Sequence, residues 1–407
     1  MKISLISLLL ISLLSYGQNK IRTINLSDSG STLNVDYLKQ LDSIFMKSRI
    51  IGLGESTHGT SEFTKIRAEI FKFLVVNHNY SIFFLEADYN ACSRVNRYIH
   101  GAEDNAKDAL IEVRLWPWLT QELLDFIEWM RLYNMQNDNI LEFVGCDMQL
   151  IIDDRLELIR YFSMNSKFKD FLPNLPSLDF DIKDSSLVLS KQKDWSEFSK
   201  TFFNSYPDEE PLLIKSVTQW FEDATCIGYK GNFRDSCMGN NIVDYLEQRP
   251  TKKGIYFAHN GHVGKISTQF TQNEPIFKRA GSFIDERLKN EYFSIALEFN
   301  KGSFNAINYV DDEFVMEFFT IKKSKRKSLA QYVLRKEDNI KFVPINSISD
   351  RKKLKINSIG AIYGKSKSGY KIYRFRKFVK ENYDAYIVIN KGTPTSLLTM
   401  QSKKNKG

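Results

Sequence analysis

Six short apolar runs, each ending at polar or turn-forming residues, constrain this chain more than any other feature. They are "RIIGLG" (49–54), "SIFFLEAD" (81–88), "LEFVGCD" (141–147), "GIYFAHN" (254–260), "FSIALEF" (293–299) and "AYIVIN" (385–390). Runs of this kind, apolar on both faces, read as strands of a parallel sheet covered from both sides. Helical periods separate them. Phe63, Ile66, Ile70, Phe73 and Leu74 recur at helical spacing after Ser61, with Thr60 or Ser61 as cap and Glu62 in the first turn. "TQELLDFIEWMRLYN" (120–134) is a second amphipathic helix. The alternation argues an α/β fold: a mostly parallel central sheet flanked by helices.

Residues 153–248 read differently. The stretches around Trp195, Phe198 and Phe202, and around Val217, Trp220 and Phe221, look helical, and no strong strand run appears. This is a helical insertion, expected to form a cap over the C-terminal strand edge. The α/β core is then discontinuous, residues 18–152 and 249–398, followed by a basic tail at 399–407.

The opening "MKISLISLLLISLLSYGQ" reads as a secretory signal peptide, residues 1–17, with small residues before a cut at Gln18. Its apolar core is shorter than the ~20 residues that a membrane span needs. Export, to the periplasm of a two-membrane cell, is the expected destination, with no stable membrane insertion. Loss of the leader removes Lys2 and no acid, leaving one positive charge fewer than the formal +8. The basic runs "KKSKRK", "DRKKLK" and "YRFRKFVK" lack interleaved base-stacking residues, so solvated faces are expected and no nucleic-acid partner. The spacing of Cys92, Cys146, Cys226 and Cys237 matches no zinc ribbon; Cys226 and Cys237 could close a small loop.

Polar residues gather where the strand runs end, and open α/β sheets bind ligands beyond the carboxyl ends of their strands. Glu55 and His58 follow the first run, Glu86 and Asp88 end the second, Asp147 ends the third, and His259 and His262 follow the fourth. A carboxylate at Glu55 can fix the tautomer of His58 and leave its other nitrogen to take a proton from water. The other reading of "GESTHG" is a helix cap with a surface histidine. Arg67, if buried, needs an anion, which Glu86 or a substrate could supply. Glu86 sits in an apolar strand and needs partners or a raised pKa; a salt bridge to Arg67 or Arg94 is the structural alternative. His259 and His262 could orient a substrate, donate to an oxyanion or bind metal. His78 and His100 look incidental.

Taken in order, "GLGESTHGTSEFTKIRAEIF", "FFLEADYNACSRVNRYI", "RLWPWLTQELLDFIEWMRLYN", "FVGCDMQ", "NFRDSCMGNNIVDYL" and "IYFAHNGHVGKI" resemble the erythromycin esterase family, from about Val35 to Leu398. Members of that family open the lactone ring of macrolides with activated water and are described as metal-independent. The resemblance implies that His58 is the general base, oriented by Glu55. Arg67 and Glu86 would form the polar wall, and His259 and His262 would hold the ester or its developing charge. Arg234, Asp147 and Trp116 would contact a small-molecule ester or macrolide substrate. It implies no cofactor. Ser56 lacks a nucleophile elbow and reads as a turn residue. The alternative is a metal-dependent, peptidase-like hydrolase using the same histidines and glutamates as ligands. A binding protein without turnover, and acyl transfer in place of hydrolysis, are further readings.

Overall fold

The computed structural model describes residues 21–398 except 29–31, 152–153, 210, 227–230, 267–277, 311–312, 323–326, 336–338, 350–353, 366–370, 373–374 and 378–379. Residues 1–17, where a leader is expected, the basic tail and parts of the three internal basic runs lie outside the described residues. All six apolar runs are strands. In chain order the strands are β1 (Ile24–Asn25), β2 (Ile50–Leu53), β3 (Tyr80–Asp88), β4 (Glu142–Asp147), β5 (Lys253–Phe257), β6 (Tyr292–Val310), β7 (Glu313–Ile321) and β8 (Ile340–Pro344). The short β9 (Lys355–Asn357), β10 (Gly364–Lys365), β11 (Lys371–Ile372) and β12 (Phe375–Lys377) form two small ribbons, and β13 (Ala385–Gly392) closes the fold. The sheet runs β1-β8-β13-β6-β2-β5-β3-β4, with β7 paired to the extended end of β6.

Pairing is parallel from β13 through β6, β2, β5 and β3 to β4. β8 runs antiparallel to β13, and β7 folds back on β6 as a hairpin. Neither β7 nor β8 stands out in the sequence, because an antiparallel strand with one face less buried carries mixed residues and reads like a loop.

Alternation along the strands divides the core in two. Phe83 and Leu85 of β3, with Phe257 and Leu297, face helices α1 (Ser61–His78), α2 (Tyr89–Ile99) and α3 (Gln121–Gln136). Ile82 and Phe84, with Tyr256 and Ala296, face the other way.

The insertion holds α4 (Asp154–Met164), α5 (Ser185–Ser205), α6 (Leu212–Thr225) and α7 (Gly231–Glu247). It does not behave as one unit. Trp195, Phe198, Phe202, Val217 and Phe221 build a separate cluster with Leu158 and Phe162, docked beside Tyr89 and Ile151, which follow β3 and β4. By contrast, Met238, Ile242, Val243 and Leu246 of α7 lie in the core of the sheet's second face. Helix α7 is therefore a sheet-covering helix, followed by the short α8 (Asn260–Val263) and by α9 (Ala280–Leu288) on the same side. All four cysteines are free thiols, Cys226 exposed and the others buried.

Candidate functional site

Register places the chemistry. Leu53 of β2 pairs with Phe257 of β5, which pairs with Leu85 of β3. The three adjacent strands are therefore in level register, about 4.8 Å apart, which brings Glu55 and Ala258, just past β2 and β5, beside Glu86 near the end of β3. Asp147 ends the next strand, β4, opposite Asp88.

The loop after β2 turns tightly and is held by segments distant in sequence. Ile359 N and Gly360 N donate to Ser56 O, and His58 N donates to Gly360 O. Thr395 N donates to Gly59 O. Thr60 sits at the N-cap of α1 without a side-chain cap bond, and Glu62 does not serve the helix end alone. Its carboxylate accepts from Thr393 N and Thr393 Oγ1, both at 2.7 Å, which ties the start of α1 to the C-terminal segment.

Within this frame His58 Nδ1 lies 2.7 Å from Glu55 Oε1. The other Glu55 oxygen accepts from Arg67 at 2.6 Å. Arg67 is fully buried, its guanidinium carbon 3.2 Å from the centroid of the Phe257 ring. Burial lowers its pKa to about 10, against the pull of Glu55 and Glu86, so it stays charged at neutral pH. The anion that Arg67 requires is thus Glu55, not Glu86, and Arg94 pairs with Glu112.

Glu86 has other partners. Its Oε1 meets Arg234 at 3.0 Å and His262 Nε2 at 3.2 Å, and its Oε2 accepts from His259 N at 2.8 Å. Burial would raise its pKa, but His262, Arg234 and His58 outweigh burial and hold it well below the usual carboxylate range. Trp118 donates its indole N–H to Glu86 O at 2.8 Å and sets its ring edge-on to His58, centroids 5.6 Å apart.

His262 Nδ1 lies 2.7 Å from Asp235 Oδ1. His259 accepts from Gly261 N through Nδ1 at 3.1 Å, capping α8, which leaves the ring hydrogen on Nε2. The rings of His58 and His259 lie 5.4 Å apart.

These groups surround a cavity of about 390 Å³ lined by His58, Glu86, His259, His262, Arg234 and Trp116 on its chemically active walls. Leu115, Pro117, Trp118 and residues 359–362 supply an apolar side. A larger cavity of about 900 Å³ lies among α2, α4, α6 and α7, lined by Tyr89, Tyr161 and Tyr245 but by no histidine. The clustered histidines, Glu86 and Arg234 line the smaller one.

Two expectations need correction. Asp147 is buried behind the cavity wall, where it accepts from Arg234 Nε at 3.0 Å and from Gln149 at 2.7 Å. It holds Arg234 and does not line the cavity. The insertion's helices α4 to α6 supply no described lining residue, so the apolar wall comes from the tryptophan loop and residues 359–362. His78 pairs with Asp42, and His100 bonds to Asn96 O, both away from the site.

Sequence reasoning missed Asp235, Trp118, Gln149 and Arg279. Asp235 stood beside Arg234 in "NFRDSC", and only its packing against His262 marks it out. Among the described residues no group of three or more histidine, cysteine or acidic side chains is arranged to hold a metal ion. The donor chemistry gives the reason, since His262 directs both ring nitrogens at carboxylates.

The erythromycin esterase family model matches residues 75–175 and 212–392. These stretches include Glu86, Asp147, Arg234, His259 and His262, while Glu55, His58 and Arg67 precede them. The chain is 22% identical over 280 residues to erythromycin esterase type I of Escherichia coli, covering 59% of this chain and 68% of that protein. In fold it is similar to a Bacillus cereus protein, with TM-score 0.76, 20% identity, and 96% and 99% of the two chains covered. It is also similar in fold to an erythromycin esterase mutant, EreC, in its open conformation, with TM-score 0.68, 16% identity, and 94% and 99% covered. With its central sheet, its histidine-lined cavity and a family match over most of its length, the chain belongs to the erythromycin esterase family of hydrolases.

Proposed function

We propose that the protein hydrolyses a carboxylic ester or macrolactone by general-base activation of water at His58. The observation that carries this reading is the Arg67–Glu55–His58 relay. Glu55 accepts at Nδ1 of His58, so the hydrogen sits there and the lone pair at Nε2 is left for a proton from water. Arg67 fixes Glu55 from behind, in full burial. General-base catalysis of this kind contributes roughly 100- to 10,000-fold.

His259 supplies the complementary element. Its Nε2–H, on a ring held by Gly261 N at Nδ1 and carried on a backbone whose N–H donates to Glu86, is a donor for the oxyanion that forms when water adds to the carbonyl. Attack by water forms the tetrahedral intermediate with the proton held on His58; collapse expels the alkoxide, which takes that proton back. The metal-dependent alternative finds less support, because His262 would have to give up a carboxylate to become a ligand. The small-molecule partner we infer is an uncharged ester, held against Trp116 and residues 359–362.

The test is hydrolysis of p-nitrophenyl esters and of erythromycin by the mature protein, with and without a chelator. Turnover that survives the chelator and disappears in His58→Ala supports this reading. Turnover that the chelator abolishes and added metal restores sinks it.

A further inference from the structure

We propose that Asp235 is a positioning residue for this reaction: with Glu86 it clamps His262 between two carboxylates, making His262 a fixed positive charge in the cavity wall and not a proton donor or metal ligand. The inference rests on the hydrolytic reading above.

The argument is first one of hydrogens. Asp235 Oδ1 lies 2.7 Å from His262 Nδ1, and Glu86 Oε1 lies 3.2 Å from Nε2. A neutral imidazole carries one N–H, so it can serve only one of these carboxylates; serving both needs the imidazolium. The surroundings agree. Asp235 and Arg234 approach from α7, Glu86 from β3, and Arg279 from the N-cap of α9, while the His259 ring stands 6.4 Å away. Burial lowers the His262 pKa, yet Asp235 and Glu86 outweigh it and push it up to about 10. Burial likewise opposes ionisation of Asp235, and His262 and Arg279 overcome it.

Asp235 is itself fixed. It is buried, accepts from Ala280 N at 2.9 Å, and lies 3.5 Å from Arg279. Through His262 it therefore sets Glu86, and Glu86 in turn receives the backbone N–H of His259. Three carboxylates, Glu86, Asp147 and Asp235, meet three cations, Arg234, His262 and Arg279. Losing the charge on Asp235 leaves His262 with one anion and frees it to deprotonate. The cavity then loses a positive charge where negative charge develops, and His259 loses part of its anchor.

The experiment is imidazole nitrogen NMR on the full chain between about pH 6 and 9, a window spanning ordinary histidine titration. His262→Gln assigns the signal by its disappearance. In the wild type both His262 nitrogens are expected to stay protonated throughout. Asp235→Asn keeps the shape and the acceptor for Ala280 N. In that variant His262 is expected to titrate inside the window, and kcat to fall about 10- to 100-fold toward the alkaline side, the scale of losing a carboxylate partner to an imidazole. KM should move less than kcat. A wild-type His262 titrating near its ordinary 6.5 overturns the proposal, as does an Asp235→Asn protein whose signals and pH–rate profile overlay the wild type. The wild-type spectrum decides even where the variant fails to fold, and it needs no substrate, so a failure of the esterase reading stays separate.

Discussion

The imidazoles of His58 and His259 lie 5.4 Å apart, ring centre to ring centre, although they follow different strands and stand 201 positions apart in the sequence. Their division of labour follows from what each Nδ1 does. His58 gives its Nδ1 hydrogen to Glu55, while His259 accepts at Nδ1 from Gly261 N. One ring therefore presents a lone pair at Nε2 and the other presents a hydrogen. His58→Ala is expected to lower kcat by about 100- to 10,000-fold. His259→Ala should cost about 100- to 1,000-fold, the scale of removing one oxyanion donor. Both proteins should keep the wild-type far-UV spectrum, and ester hydrolysis measures the loss.

Arg67 should matter to stability as much as to turnover. It is fully buried and neutralises Glu55, which is 1% exposed. Arg67→Ala strands that carboxylate, and breaking a buried pair in this way costs about 3–5 kcal/mol. Urea unfolding should show the full shift, and the folded fraction of the variant should still be slow because Glu55 no longer holds one position. A variant with wild-type stability would mean that water or another cation replaces the guanidinium.

How much of this was legible follows from the physics of each element. Strands buried on both faces must be apolar throughout, so β2 to β6 and β13 announced themselves. The antiparallel strands β1, β7 and β8 escape the eye because each has a face or a side that need not be apolar. The site was legible as residue types at strand ends, since sheet topology brings such ends together. Pairing was not. Arg67 was open to Glu86 or substrate and took Glu55, because an arginine from the helix after β2 reaches the β2 end first. Asp235 and Arg279 were silent, since a lone acid on a helix carries no sign of the histidine it will meet. Helix α7 was grouped with the insertion because the sequence between β4 and β5 is helical throughout. Only the burial of Met238 and Ile242 against the sheet separates it.

Asp88 gives a pH-dependent stability. It lies opposite Asp147 across β3 and β4, one oxygen accepting from Leu150 N and the other, Oδ2, buried without a hydrogen-bond partner. Burial first, and then the charge on Asp147, raise its pKa from the ordinary 3.8 to about 8. An acid whose folded pKa is raised costs nothing below its unfolded value. The fold loses stability as pH climbs from about 4 to about 8, and the loss is constant above that. Asp88→Asn removes the penalty. It should melt near the wild type at pH 4 and higher than the wild type at pH 8, with the gap widening between. Equal melting temperatures across that range would show that Asp88 ionises without cost.

Gly54, between β2 and Glu55, is a tight constraint on the loop that carries Glu55 and His58. A Cβ there would stand 2.2 Å from Asn260 Oδ1, 2.8 Å from Val263 Cγ2 and 3.0 Å from Asn260 Cα. Asn260 has no freedom to retreat. Its N donates to Glu55 O at 2.8 Å, and its side chain both accepts from Leu297 N at 3.1 Å and donates to Leu297 O at 2.8 Å. Any shift is passed directly to His259, the preceding residue, and to the backbone of Glu55. Gly54→Ala is therefore expected to destabilise the fold by about 1–3 kcal/mol through overpacking. It should also lower kcat more than that loss of stability explains, because the His58 and His259 loops are pushed apart together. Thermal melting alongside kcat on a p-nitrophenyl ester separates the two effects. A stable Gly54→Ala enzyme with undiminished turnover would show that the two loops move independently.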